Sequence, residues 1–247
     1  MDDKVKKIEN FIQEKIKNSQ TQGAILGLSG GIDSALVATL CKRALKDKVF
    51  ALLMPTQSSN KSHFQDALRL CDSLELEYKI IEIQNILDAF LKQSENTTAL
   101  ALGNFAARIR MSLLYDYSAL KNYLVVGTSN KSELMLGYGT IYGDLACAFQ
   151  PLGSLYKSQI YALSKYLHLH ENFITKTPSA DLWENQSDEA DLGFSYAQID
   201  EGLKALETRD EKVLTRLNPA LISMLQTRMQ KNVFKRKMPE ILELDNG

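Results

Sequence analysis

The segment Gly27-Leu-Ser-Gly-Gly-Ile-Asp-Ser34 combines residue types and spacing that suit anion chemistry. Backbone amides of such a turn point into a common space, and the start of a helix adds partial positive charge. Together they can cradle phosphate oxygens. Gly27, Gly30 and Gly31 let the backbone approach the anion, with Leu28, Ser29, Ile32, Asp33 and Ser34 completing the turn. The turn lacks Gly-Lys-Ser/Thr, which excludes a Walker A loop, and it lacks G-x-G-x-x-G, the usual dinucleotide fingerprint. Gly137-Tyr-Gly139 also misses that fingerprint, because Tyr142 stands where the third glycine belongs.

Two carboxylates and one lysine add to the turn. Asp33 lies within it, and Glu133 ends Gly127-Thr-Ser-Asn-Lys-Ser-Glu133. Hard carboxylate oxygens beside phosphates suit Mg²⁺, which keeps waters and shares itself with a nucleotide. Thr128 is placed to touch that nucleotide, and Lys131 need have no role. Lys157, in Gly153-Ser-Leu-Tyr-Lys157, is the candidate for stabilising negative charge on a departing pyrophosphate. Arg108 and Arg110 are two helical steps apart, roughly 200° around a helix, so one can enter a site while the other cannot. Lys231, Lys235, Arg236 and Lys237 form a basic cluster able to reach an anionic substrate. His63, His168 and His170 show no partner spacing and read as structural or surface residues. Trp183 reads as an anchor for its polar surroundings.

These groups need a scaffold. The 247 residues are 45% hydrophobic, enough for one large domain, with 29 basic and 30 acidic residues. That balance marks neither a nucleic-acid nor a membrane partner. Cys41, Cys71 and Cys147 form no C-x-x-C, and no apolar run suits a signal peptide or bilayer span. A cytoplasmic chain with reduced thiols is expected. Apolar periodicity predicts helices over 4–17, 34–45, 62–74, 104–120, 158–167, 195–207 and 220–231. Short apolar runs predict strands over 24–28, 49–54, 78–83 and 123–127. Strands alternating with helices indicate an α/β, doubly wound, Rossmann-like parallel sheet covered on both faces. In the order 3-2-1-4 the chain reverses between strands one and four, and ligands bind in the crevice there. That topology brings Asp33 and Glu133 to one site. The helix over 104–120 is apolar on several faces, which fits core burial or a homodimer interface equally. Residues 175–193 read as a long loop, of the kind that is either functional or disordered.

The loop resembles that of the N-type ATP pyrophosphatases, of adenine nucleotide alpha hydrolase-like fold. The wider set of motifs resembles ammonia-dependent NAD synthetases over most of the chain. Carrying that resemblance are Leu28–Ser34, Gly103-Asn-Phe-Ala-Ala-Arg108, Gly127-Thr128 with Glu133, Tyr142-Gly-Asp144, Lys157 and Pro178-Ser-Ala-Asp-Leu182. Gln186-Ser-Asp-Glu189 looks like the family's mobile loop. The resemblance implies ATP binding by Gly27–Ser34, Thr128, Lys157 and Ser179, and magnesium on Asp33 and Glu133. It implies deamido-NAD facing Arg108 (rather than Arg110), Asp144 and Lys235 across a homodimer interface. Ile141 departs from a common lysine, and Phe234-Lys235 from a common His-Lys pair. The implied reaction adenylates the nicotinic acid carboxylate with ATP, releases pyrophosphate, and lets ammonia displace AMP. Residues 1–247 would form a single synthetase domain, with no glutamine amidase domain. The rivals are another N-type ATP pyrophosphatase, amidating or thiolating a purine nucleotide or tRNA, and a non-catalytic ATP sensor. A tRNA enzyme should show a basic face or a cysteine pair, and neither is evident.

Overall fold

A computed structural model describes residues 1–179 and 186–244. Its elements run in the order α1 (Asp2–Asn18), β1 (Gly23–Gly27), α2 (Ile32–Leu45), β2 (Val49–Leu53), α3 (Lys61–Ser73), β3 (Glu77–Ile80), α4 (Gln84–Leu91), α5 (Ala99–Lys121) and β4 (Tyr123–Val125). There follow α6 (Lys131–Leu136), α7 (Lys157–Tyr166), α8 (Glu171–Thr175), α9 (Asp188–Leu192), α10 (Tyr196–Thr208), α11 (Glu211–Leu214), α12 (Pro219–Lys231) and a 3₁₀ turn, Val233–Arg236.

The sheet is four-stranded, parallel, and ordered β3-β2-β1-β4, as the doubly wound reading expects. Side chains alternate across a strand, and the two central strands divide their residues accordingly. Ala24, Leu26, Val49, Ala51 and Leu53 enter a core shared with α1, α2, α7 and α8. Ile25, Phe50 and Leu52 enter the opposite core, against α4 and α5. Both faces are therefore covered. α2 is buried at nearly every position from Ile32 to Cys41, because it lies beneath both α1 and α7. α1 buries one stripe, Val5, Ile8, Ile12 and Ile16.

β3 differs from expectation. All four of its residues are exposed, Tyr78 and Ile80 included, and it ends at Ile80 rather than Ile83. It occupies the sheet edge, where one side lacks a neighbouring strand. A third core, with Leu136, Leu203, Leu221 and Leu225, joins α6, α10 and α12 into a helical lobe.

Short helices account for most other departures from the periodicity reading. α6 has six residues and α11 four, too few for an apolar repeat to register. α5 begins at Ala99, ahead of the expected 104, because Thr98 caps it by accepting from the Ala101 amide at 3.3 Å.

Candidate active site

The carboxyl ends of β1 and β4 open into a cleft of about 900 Å³. β1 runs into Leu28–Gly31 and then α2. Gly30 has φ +83°, and a Cβ there would lie 2.0 Å from the His63 carbonyl oxygen, so only glycine allows the turn to pack on α3. Ser34 Oγ donates to the Gly31 carbonyl at 3.0 Å, and Ser29 Oγ accepts from the Gly31 amide at 3.2 Å. No side chain caps the first turn of α2, whose N-terminus faces the cleft through Gly31, Asp33 and Ser34. That end carries the partial positive charge which a phosphate neutralises.

β4 leads through Gly127 and Thr128 to α6. A Cβ on Gly127 would meet Gln150 Oε1 at 2.2 Å and Cys147 Sγ at 2.5 Å, so the strand end stays bare. Asn130, fully buried, caps α6 by accepting from the Glu133 amide at 3.1 Å, while Glu133 Oε2 accepts from the Asn130 amide at 3.2 Å. The same Asn130 donates through Nδ2 to Asp33 Oδ1 at 3.0 Å. One residue, through its side chain and its backbone amide, thus fixes both carboxylates, 100 positions apart in sequence, against each other.

Lys157 lies between them. Its Nζ donates to Asp33 Oδ2 at 2.6 Å and to Glu133 Oε1 at 3.2 Å, and the residue is only 3% exposed. A cation at the first position of α7 opposes the helix dipole; the two carboxylates reverse that balance. Burial disfavours its charge, yet Asp33 and Glu133 hold Lys157 above the ordinary lysine range. Burial, with the charges of Asp33 and Asp188 adding, pushes Glu133 up to about 8 against the opposing effect of Lys157. The backbone of α7 is held in turn: the Lys157 amide donates to Ser132 Oγ at 3.0 Å, and the Ser158 amide to Asp200 Oδ2 at 2.7 Å.

Beside this centre, Asp188 Oδ2 accepts from the Tyr196 hydroxyl at 3.2 Å, and its Oδ1 lies 3.1 Å from Tyr138 Oη. Burial raises the Asp188 carboxyl, opposed by Lys157. At the far end of α6, Asp144 Oδ1 accepts from the Thr140 amide at 2.8 Å, and Lys235 Nζ donates to the carbonyls of Gly137 and Gly139 at 2.9 and 2.8 Å.

Of the residues singled out from sequence, Gly27, Leu28, Ser29, Gly31, Asp33, Ser34, Thr128, Glu133, Asp144, Lys157, Ser179 and Lys235 line the cleft. Gly30 and Ile32 shape its turn from behind. Arg108 does not line it; Arg110 does, with Nε donating to the Met54 carbonyl at 3.1 Å. The two arginines point to different sides of α5, as their spacing requires, and Arg108, expected at a site across a homodimer interface, lies outside the cleft of one chain. Lys157 is among the most buried charged residues described. Lys131 pairs with Glu207 at 2.5 Å, away from the cleft lining. His170 caps α8, and His63 backs Gly30, both structural roles. Trp183 lies outside the described residues, as do residues 180–182 of the Pro178–Leu182 motif. The thiols are free, and burial pushes Cys41 and Cys71 up to about 12 and Cys147 to about 11, so none is an activated nucleophile.

Comparison with known proteins gives a match to the NAD synthase family over residues 4–239. The chain belongs to the NAD synthase family. It is 81% identical over 238 residues to the NH(3)-dependent NAD(+) synthetase of Campylobacter jejuni subsp. jejuni serotype O:23/36 (strain 81-176), covering 96% of this chain and 97% of that one. Among solved structures it matches an NH3-dependent NAD synthetase from Campylobacter jejuni subsp. jejuni NCTC 11168, in complex with the nitrate ion. The TM-score is 0.88 at 73% identity, over 98% of both chains. It also matches the NMN synthetase from Francisella tularensis, TM-score 0.90 at 33% identity, again over 98% of both. Within this NAD synthase, sequence reading passed over Asn130, Ser132, Asp188 and Asp200. Asn130-x-x-Glu133 was legible as a capping box. Asp200 and Asp188 carry no local signal, because their partners lie on other elements.

Proposed function

We propose that the cleft amidates deamido-NAD with ammonia, driven by ATP, so that the chain works as an ammonia-dependent NAD synthetase. The reaction is that of a ligase forming a C–N bond, with ATP as a substrate, as the 81% identity to the Campylobacter synthetase supports. The observation that carries the site assignment is the buried Lys157 ammonium gripped by Asp33 and Glu133 at the uncapped start of α2.

The nicotinic acid carboxylate attacks the α-phosphorus of ATP. An O–P bond forms, the bond to the bridging oxygen breaks, and pyrophosphate leaves. Ammonia then attacks the acyl carbon, the C–O bond to AMP breaks, and a proton is released. Oxide is too poor a leaving group for direct amidation; AMP is a stable one. In this reading Gly27–Ser34 hold the triphosphate, Thr128 and Ser179 contact the nucleotide, and Lys157 places its charge where the pyrophosphate develops. Asp33 and Glu133 would hold magnesium. The fit is supported by two half-buried carboxylates already converging on one cation, the Lys157 ammonium. Bound there, magnesium would neutralise phosphate charge.

Asp144 and Lys235 belong to the deamido-NAD end. Arg108, half-buried and outside the cleft of one chain, is assigned to a site completed by a second copy. Exposed Tyr78, Ile80 and Ile86, with Tyr115 and Leu120 on α5, support a homodimer face. Free, buried thiols support a cytoplasmic location. Residues 1–247 are read as one synthetase domain. No helix among the described residues is long and apolar enough to cross a membrane.

The test is pyrophosphate release from ATP and Mg²⁺, with deamido-NAD and ammonium added separately and together. NAD formed only with every component present is the expected result. Tight ATP binding without pyrophosphate release would instead indicate a sensor. A monomer by light scattering at assay concentration would sink the dimer.

A further inference from the structure

We propose that Arg228 and Lys231 form a phosphate-recognition wall for the second substrate, at the end of the cleft opposite the ATP loop. The proposal rests on the synthetase reading and deepens it. Both residues lie on α12 and line the cleft. Three positions apart, they share one face of the helix. Leu221 and Leu225 lie on the same side of α12, two turns and one turn before Arg228, and pack into the core with α10, so Arg228 continues that inward-facing stripe to the cleft.

The neighbouring cations are already engaged. Lys235 gives its ammonium to the Gly137 and Gly139 carbonyls, and Arg236 gives its guanidinium to the Leu134, Met135 and Met229 carbonyls. The side chains of Arg228 and Lys231 have no hydrogen-bond or ion-pair partner among the described residues. Arg228 also repels Lys235, which burial already holds below the ordinary lysine range. Clustered like charges on a concave wall are unfavourable unless an anion joins them. A planar guanidinium beside an ammonium matches phosphate oxygens in particular.

Position decides which anion. Lys235 fastens the C-terminal end of α6, whereas Glu133 and Lys157 sit at its N-terminal end. Six helical residues separate those ends by roughly 9 Å. The triphosphate is held at the Glu133 end, so the wall is assigned to the phosphates joining the two nucleosides of deamido-NAD.

Steady-state kinetics of Arg228→Met, Lys231→Met and the double variant test this, with circular dichroism as a check on folding. The expected result is a KM for deamido-NAD raised roughly tenfold or more in the double variant. The KM for ATP and the kcat at saturation should stay within about twofold, since binding is lost and the reacting end is untouched. Arg228→Lys should recover part of the loss, and added salt should raise the wild-type KM more than that of the double variant. An unchanged KM for deamido-NAD would overturn the proposal. So would an equal rise for ATP, which would assign the wall to the triphosphate. A wild-type enzyme that makes no NAD would defeat the synthetase reading itself, a separate outcome.

Discussion

The two ends of the cleft solve opposite electrostatic problems. At the α2 end every charge has a partner: Lys157 meets Asp33 and Glu133, Asn130 ties both carboxylates, and Ser132 and Asp200 secure the backbone of α7. At the α12 end Arg228 and Lys231 stand beside cations committed to carbonyls. The first end is organised before substrate arrives, which suits stabilising charge that develops only during reaction. The second end has charge in reserve, which suits capturing charge that arrives with the ligand.

Substitutions can break or sharpen that contrast. The largest effect is expected for Asp33→Asn. It removes a carboxylate from the phosphate end while keeping its shape, and pyrophosphate release should fall on the order of 10³-fold with the fold intact. Substantial turnover in that variant would refute the metal role of Asp33. Next comes Lys157→Met. It leaves two half-buried carboxylates facing each other without their cation, so stability without magnesium should drop by about 3 kcal/mol, read by urea denaturation. Magnesium should restore part of that loss, and no response to the ion would break the idea that it shares these ligands. Asn130→Ala removes a helix cap and a hydrogen bond to Asp33. A cost of about 1–2 kcal/mol is expected, with turnover reduced more than the KM for either substrate. Lys131→Ala is the control at the small end. Its pairing with Glu207 is partly exposed, so a change under about 1 kcal/mol and unaltered kinetics are expected. A large kinetic effect there would extend the organised region beyond the cleft.

What could be read in the sequence follows from range. The Gly27–Ser34 turn, Thr128 and Glu133 are local patterns at strand ends, and the sheet order then brings them together. Lys157 was legible as a cation before a helix, but its burial depends on α2, α6 and α10 packing around it. Arg108 and Arg110 were separable by helical geometry alone. Which of them enters the cleft of one chain depends on the orientation of α5 against β1 and β4, which two positions of one helix cannot encode. α6 escaped the periodicity reading because it is only six residues long; beside the one core residue Leu136, its ends are held by polar groups, a capping box at one and Asn232 with the 3₁₀ turn at the other.

That last hold has a consequence for when the enzyme becomes competent. The C-terminal carbonyls of α6 are gripped by Asn232, Lys235 and Arg236, which are translated about a hundred residues later. The sheet, with Asp33 just beyond the carboxyl end of β1, can assemble as soon as β4 leaves the ribosome, since domains form from the N-terminal side during synthesis. Glu133 has its own earlier ties to Asn130 and Lys157, so what waits for the 3₁₀ turn is the C-terminal end of α6 and the Gly137–Gly139 stretch after it. A nascent chain stalled before residue 232 would therefore hold the phosphate turn and both carboxylates beside a far end of the cleft that is not yet fastened.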